Sequence, residues 1–263
     1  MLYSMLKEKL HELAPRENGF KDDVYGLQFG SILKDQNLHN IIISLECSKE
    51  VILEARKLKS HLIISHHGLI SKPTIYFNDD ICNEIKLLSM SNICLFVIHQ
   101  PWHFAAGGIS DAYAKHAGIN IEKTFYKTYN ESYYPIGRIG VPFLENSTVD
   151  SMCNNLKRNL GLPSLQIAGN PKNEVTKVIV KGGTGIDTSH FLDIVSAGCN
   201  TIISKKFSYQ EFVLANKLGL NLIATSHHAS EKSGMENLQR ILSLEFPRDN
   251  FIFVSTNDPV LII

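Results

Sequence analysis

Six of the eleven histidines of this 263-residue chain lie in three short clusters: Ser65-His66-His67-Gly68, His99-Gln100-Pro101-Trp102-His103 and Ser226-His227-His228-Ala229. Neutral imidazole is the commonest metal ligand near neutral pH, so the chemistry these residues offer first is metal binding. His66 and His67 are adjacent, and in a regular strand they would point to opposite faces. They serve one site if the strand has ended and turned, which Gly68 allows, or one metal each in a dinuclear centre. His227 and Glu231 are four residues apart and share a face if a helix begins near Ala229. There Glu231 could bridge two metals through its two oxygens. Each feature also has a plainer reading: loop polarity for the His-His pair, an exposed helix pair for His227 and Glu231, packing on Trp102 for His103. Their coincidence favours a metal site.

Each cluster follows an apolar run, namely Leu62-Ile63-Ile64, Ile93 to Ile98, and Leu222-Ile223-Ala224. In open α/β sheets, ligands bind at the carboxyl ends of the strands. The first half reads as strand 40–45, helix 49–59 behind an N-capping Ser48, strand 62–65, a helix around 80–91 and strand 93–98. The second half reads as strand 175–180, helix 191–196, strand 201–204, helix 209–218 and strand 220–225. This alternation predicts two similar α/β domains with mostly parallel sheets, residues 1–125 and 126–263, with the C-terminal segment able to pack back on the first domain. Between them, 133–140 reads as a strand and 149–160 as an amphipathic helix. Ser204-Lys205 takes the place in the second unit that Ser65-His66 holds in the first. Gly182-Gly183-Thr184-Gly185 is read as a tight turn or a phosphate cradle. Gly107-Gly108 is read as a turn before a helix capped by Ser110 or Asp111.

Hydrophobic residues make up 44% of the chain, and 26 basic residues balance 26 acidic ones. That excludes a disordered tail and a bulk basic field for nucleic acid. Five scattered cysteines without a CxxC pair suggest reduced thiols in a cytoplasmic protein. The start of the chain reads as an amphipathic helix, with Leu2, Leu6, Leu10 and Leu13 on one face, rather than a signal peptide. No apolar run is long enough to span a membrane.

The clusters resemble the Nif-three-like family, whose members are often named GTP cyclohydrolase I type 2 homologues. His66-His67-Gly68-Leu69-Ile70 is similar to the family's His-His-Pro-Leu-Ile. His99 through Asp111, with Gly107-Gly108, is similar to its His-Thr-Asn-Leu-Asp…Gly-Gly-Val-Asn-Asp. Ser226-His227-His228-Ala229-Ser230-Glu231, followed by Gly234, is similar to its Gly-His-Tyr-x-x-Glu. Further echoes are Gly26 to Gly30, Gly137 to Gly140 and Gly182 to Gly185, so the likeness runs nearly end to end. The resemblance implies a Nif-three-like fold with a dinuclear metal site in the interdomain cleft, and commonly a toroidal homohexamer. By position its metal ligands are His66, His67, His103, His227 and Glu231, holding two divalent transition metals, zinc or iron first. The chain is a short form, since 126–174 leaves no room for an inserted domain.

The chain departs from the family at several positions. His103 stands where it has aspartate, Pro101 where it has asparagine, Ser204-Lys205-Lys206 where it has Thr-Gly-Glu, and Glu46 where aspartate is usual. The expectation is a metal-dependent hydrolase of the cyclohydrolase type acting on a nucleotide or heterocycle, with His99 as proton shuttle and Lys205 and Lys206 attracting phosphate. The alternative is a non-catalytic metal-binding regulatory or interaction protein, which the lost acids favour.

Overall fold

The computed structural model describes residues 1–129, 131–183 and 186–260. Along the chain come α1 (Tyr3–Leu13), β1 (Tyr25–Phe29), β2 (Asn40–Ser44), α2 (Lys49–Lys57), β3 (Leu62–Ser65), α3 (Asp79–Ser91), β4 (Cys94–Ile98), α4 (Gln100–Phe104) and α5 (Ile109–Ala117). There follow β5 (Ile119–Tyr129), β6 (Ser132–Pro142), α6 (Val149–Leu160), β7 (Gln166–Ala168), β8 (Val178–Lys181), α7 (Phe191–Ser196), β9 (Thr201–Ser204), α8 (Tyr209–Leu218), β10 (Asn221–Ala224), α9 (His227–Glu245) and β11 (Asn250–Val254). Two compact units result: Met1–Ala106 with Met235–Asn257, and Gly107–Gly234 with the chain from Asp258.

The first unit holds a sheet of order β1-β4-β3-β2-β11. All its pairings are parallel except β1 with β4. The inner strands β2, β3 and β4 are short apolar runs buried on both faces, as a parallel sheet demands. Ile42, Ile63, Leu95 and Val97 pack against Val51, Ile52 and Ala55 of α2 and Leu88 of α3. Ser48 caps α2 as expected, its side chain accepting from the Val51 amide.

The second unit holds a sheet of order β5-β6-β8-β9-β10-β7. Here only β8-β9-β10 is parallel, and antiparallel strands flank it on both sides. The expectation of mostly parallel sheets therefore describes the first unit, while the second is mixed. The long β5–β6 ribbon is the cause, because a chain that turns straight back can pair only antiparallel. Within it, β6 covers the strand expected near 133–140. Val178, Val180, Ile203 and Ile223 face Tyr113 and Ala114 of α5 and Met152 and Leu156 of α6. The expected correspondence of the halves holds in strand order: β2-β3-β4 and β8-β9-β10 each lie side by side in sequence order and parallel, with an antiparallel strand beside the last. Ser65 and Ser204 both close the middle strand.

The α5 helix differs from expectation at its cap. Gly108 occupies the N-cap with no side-chain hydrogen bond, and Ser110 is buried. Asp111 accepts from the Gly107 amide just before the helix and from Arg138 Nε, so one carboxylate oxygen holds the turn at the helix start and the other the ion pair. Thr184 and Gly185 of the glycine-rich stretch lie outside the described residues. Among the described residues, no helix is long and apolar enough to cross a membrane.

Candidate metal centre

In the first unit, β3 ends at Ser65 and the ladder to the β2 side runs on for two more residues. The His66 amide donates to the Ser44 carbonyl at 3.1 Å and the His67 amide to the Leu45 carbonyl at 2.9 Å. The chain turns here, with Ser65 Oγ donating to the His67 carbonyl at 2.6 Å. Both imidazoles thus reach one place, their ring centroids 4.7 Å apart. Gly68 lets the Gln28 side-chain amide approach closely: a Cβ there would lie 2.7 Å from it. That amide braces the turn by donating to the Ile70 carbonyl at 2.8 Å.

The third cluster forms at the end of β4. His99 precedes the short α4, and its carbonyl accepts from the Trp102 and His103 amides. Pro101 sits in the first turn, where its missing N–H costs no helical bond. The four-residue step places the His99 and His103 rings 5.7 Å apart.

The hydrogen bonds set the direction of each ring. His66 Nδ1 lies 3.0 Å from the Ile98 carbonyl. A carbonyl only accepts, so Nδ1 carries the proton and, in the neutral ring, Nε2 keeps its lone pair. The His103 Nε2, 3.0 Å away, then donates to it. His67 Nδ1 donates to Glu46 Oε1 at 2.6 Å and His99 Nδ1 to Asp23 Oδ1 at 2.5 Å. Three imidazoles are thus held by Nδ1–H to an oxygen acceptor, which is how metal-ligating histidines are fixed and made more basic. His66, His67 and His99 each offer a nitrogen within 4.8 Å of the others and together could hold a metal ion. His99, expected as a proton shuttle, therefore stands in the same group as two expected ligands.

Spacing did not reveal the partners of these rings. Asp23 is 76 residues from His99 and also accepts from the Gln100 amide at 2.9 Å. Glu46, singled out only for its departure from the family, proves to orient His67.

In the second unit α9 begins at His227, earlier than expected. Ser226 starts it, its Oγ accepting from the Ala229 amide at 2.9 Å. His227 and Glu231 lie on one face, with His227 Nε2 2.6 Å from Glu231 Oε1. Lys205 Nζ lies 3.3 Å from the same nitrogen. Burial lowers the Lys205 pKa against the opposing effect of Glu231. Lys206 is exposed. Gly234 continues the helix where a Cβ would lie 2.7 Å from the Ile109 backbone. The His227 Nε2 and Glu231 Oε1 atoms already meet, so the pair offers a divalent ion two ligand atoms.

The sequence matches the Duf34/NIF3 (NGG1p interacting factor 3) family over residues 1–259. It is 30% identical over 227 residues to the "GTP cyclohydrolase 1 type 2 homolog" of Clostridium perfringens, covering 84% of each chain. To the protein of that name from Methanocaldococcus jannaschii it is 23% identical, covering 90% of this chain and 92% of the relative. The crystal structure of a Bacillus cereus protein related to NIF3 shares the fold with a TM-score of 0.86 at 17% identity, covering 100% of this chain and 99% of that one. With the match running nearly the whole length and histidine and glutamate groups able to hold a metal, this chain belongs to the Duf34/NIF3 family.

Proposed function

We propose that this chain is a metal-dependent hydrolase in which His66, His67, His103, His227 and Glu231 hold two divalent transition metal ions, zinc or iron first, and act on a nucleotide or heterocyclic substrate. The observation that carries the reading is that His66 and His67 are both held through Nδ1 to an oxygen acceptor, which turns their Nε2 atoms to a metal ion. Five nitrogen and carboxylate donors suit such ions better than magnesium. Bound metal would supply Lewis acidity and a water acidified towards neutral pH. His99 would carry the proton, fixed in one tautomer by Asp23. Lys205 and Lys206 would draw in phosphate. The names of the curated relatives support a cyclohydrolase over other hydrolases.

Elemental analysis of the purified protein, with turnover on a nucleotide panel before and after chelation, tests this. Metal near two equivalents and chelator-sensitive turnover are expected. His99→Gln should keep the metal and abolish turnover; loss of metal instead would make His99 a ligand. A second reading, a non-catalytic metal-binding regulatory or interaction protein, is favoured by the imidazole at His103 and the lysines at 205 and 206. Stoichiometric metal without turnover on any substrate would select it.

A further inference from the structure

Lys181 is the last residue of β8 and is only 4% exposed. Side chains alternate along a strand, and Val178 and Val180 face the core formed with α5 and α6. Lys181 therefore points to the opposite face. Its register partner on β9 is Ser204, and Ile203 belongs to that same core, so Ser204 also points to the opposite face. Ser204 is fully buried and its Oγ has no hydrogen-bond partner among the described residues. Lys181 likewise makes no hydrogen bond or ion pair among them.

Two adjacent strand ends thus carry polar groups without a hydrogen-bond partner among the described residues, the Ser204 hydroxyl fully buried and the Lys181 ammonium on a side chain only 4% exposed. Leaving such groups unmatched is costly, most of all for a charged one. Lys205 follows directly, half-buried. The Lys181 pKa is pushed down to about 8, first by burial and further by the Lys205 charge, against the pull of Asp187. An aliphatic residue would fill the position of Lys181 without this penalty. Carboxyl ends of parallel strands are where α/β sheets take ligands.

We infer that Lys181 and Ser204, with the charge of Lys205 beside them, form an oxyanion site of the second unit that receives the phosphate group of a small phosphorylated ligand. Two ammonium groups and a hydroxyl suit an ion carrying about −1.5 to −2 charge and three terminal oxygens better than a monocarboxylate. Lys205 is shared with the proposed function, its Nζ 3.3 Å from His227 Nε2, but Lys181 and Ser204 are not among the proposed metal ligands, and phosphate binding by the chelated protein separates the two readings.

Titration calorimetry with inorganic phosphate, on the full chain as purified and after chelation, provides the test. Phosphate binding that survives chelation is expected. Lys181→Met should weaken it about tenfold or more, the scale of a charge-assisted hydrogen bond, and Ser204→Ala less. Lys172→Met, at an exposed lysine of the same unit, should leave it unchanged. Lys181→Gln, which keeps a polar end, should lose affinity like Lys181→Met and guards against a folding artefact. The inference is overturned if the chelated protein does not bind phosphate, if acetate binds as tightly, or if both folded Lys181 variants bind as the wild type does.

Discussion

At the scale of single residues, His103 decides the charge of the proposed centre. With an imidazole in place of the family's aspartate, Glu231 is the one carboxylate among five ligands, and two divalent ions keep a net charge of +3 rather than +2. His103→Asp should therefore raise occupancy of the weaker metal position and shift preference towards manganese, while His227→Ala should remove at least one equivalent. Calorimetry on metal-free protein reads both, and unchanged stoichiometry and preference in His103→Asp would remove His103 from the ligand set. Lys181 supplies a pH-dependent term. Its pKa falls from 10.5 to about 8 on folding, so between those values the unfolded chain binds more protons and stability rises with pH. Below pH 8 the penalty is complete, on the order of 3 kcal/mol by the pKa–energy relation. Lys181→Met should accordingly be more stable than wild type at pH 7, with the advantage shrinking as pH climbs from 8 towards 10.5. Denaturant melts of both proteins across that range would show it; a constant difference would contradict the buried charge.

At the scale of elements, α9 carries His227 and Glu231, and its seating depends on Gly234 against Ile109. Alanine is intrinsically better than glycine in a helix by about 1 kcal/mol. A Cβ at Gly234, however, would meet the Ile109 Cα at 2.7 Å, and overpacking costs roughly 1–3 kcal/mol. Because the contact is with backbone, which yields less than a side-chain end, the steric term should win. Gly234→Ala is expected to lower the thermal midpoint and weaken metal binding together, and an unchanged midpoint would show that the helix can shift freely. The start of α5 belongs to the same packing, since Ile109 also lies 2.5 Å from where a Gly182 Cβ would be.

At the scale of the whole molecule, the two units differ in how the chain builds them. All six strands of the second sheet come from one continuous stretch, Gly107–Gly234. The first sheet needs β11, which pairs with β2 from Asn250↔Asn40 to Val254↔Ser44, and the unit includes Met235–Asn257. A fragment of residues 107–234 should melt cooperatively, whereas residues 1–106 alone should not; circular dichroism of the two fragments distinguishes these outcomes. The hexamer implied by the family is a matter for light scattering.

The sequence by itself determined the elements whose signals are local. Strands β3 and β9 and helices α6, α7 and α8 occupy the residues that apolar runs and periodicity indicate, because a buried strand must be apolar along its length and an amphipathic helix must repeat. It also marked the His66, His67, His99, His103, His227 and Glu231 positions, since each cluster follows a strand. It did not mark β5, whose side chains are mostly exposed and which is held by pairing with β6. Nor did it mark β1, half-exposed, with Gly26 at a φ of 102° and a register shift between Leu27 and Phe29. Only the tertiary structure decided which ring nitrogen each histidine presents. That choice rests on Asp23, Glu46 and the Ile98 carbonyl, and an acceptor brought from 21 to 76 residues away leaves no periodic trace in the chain.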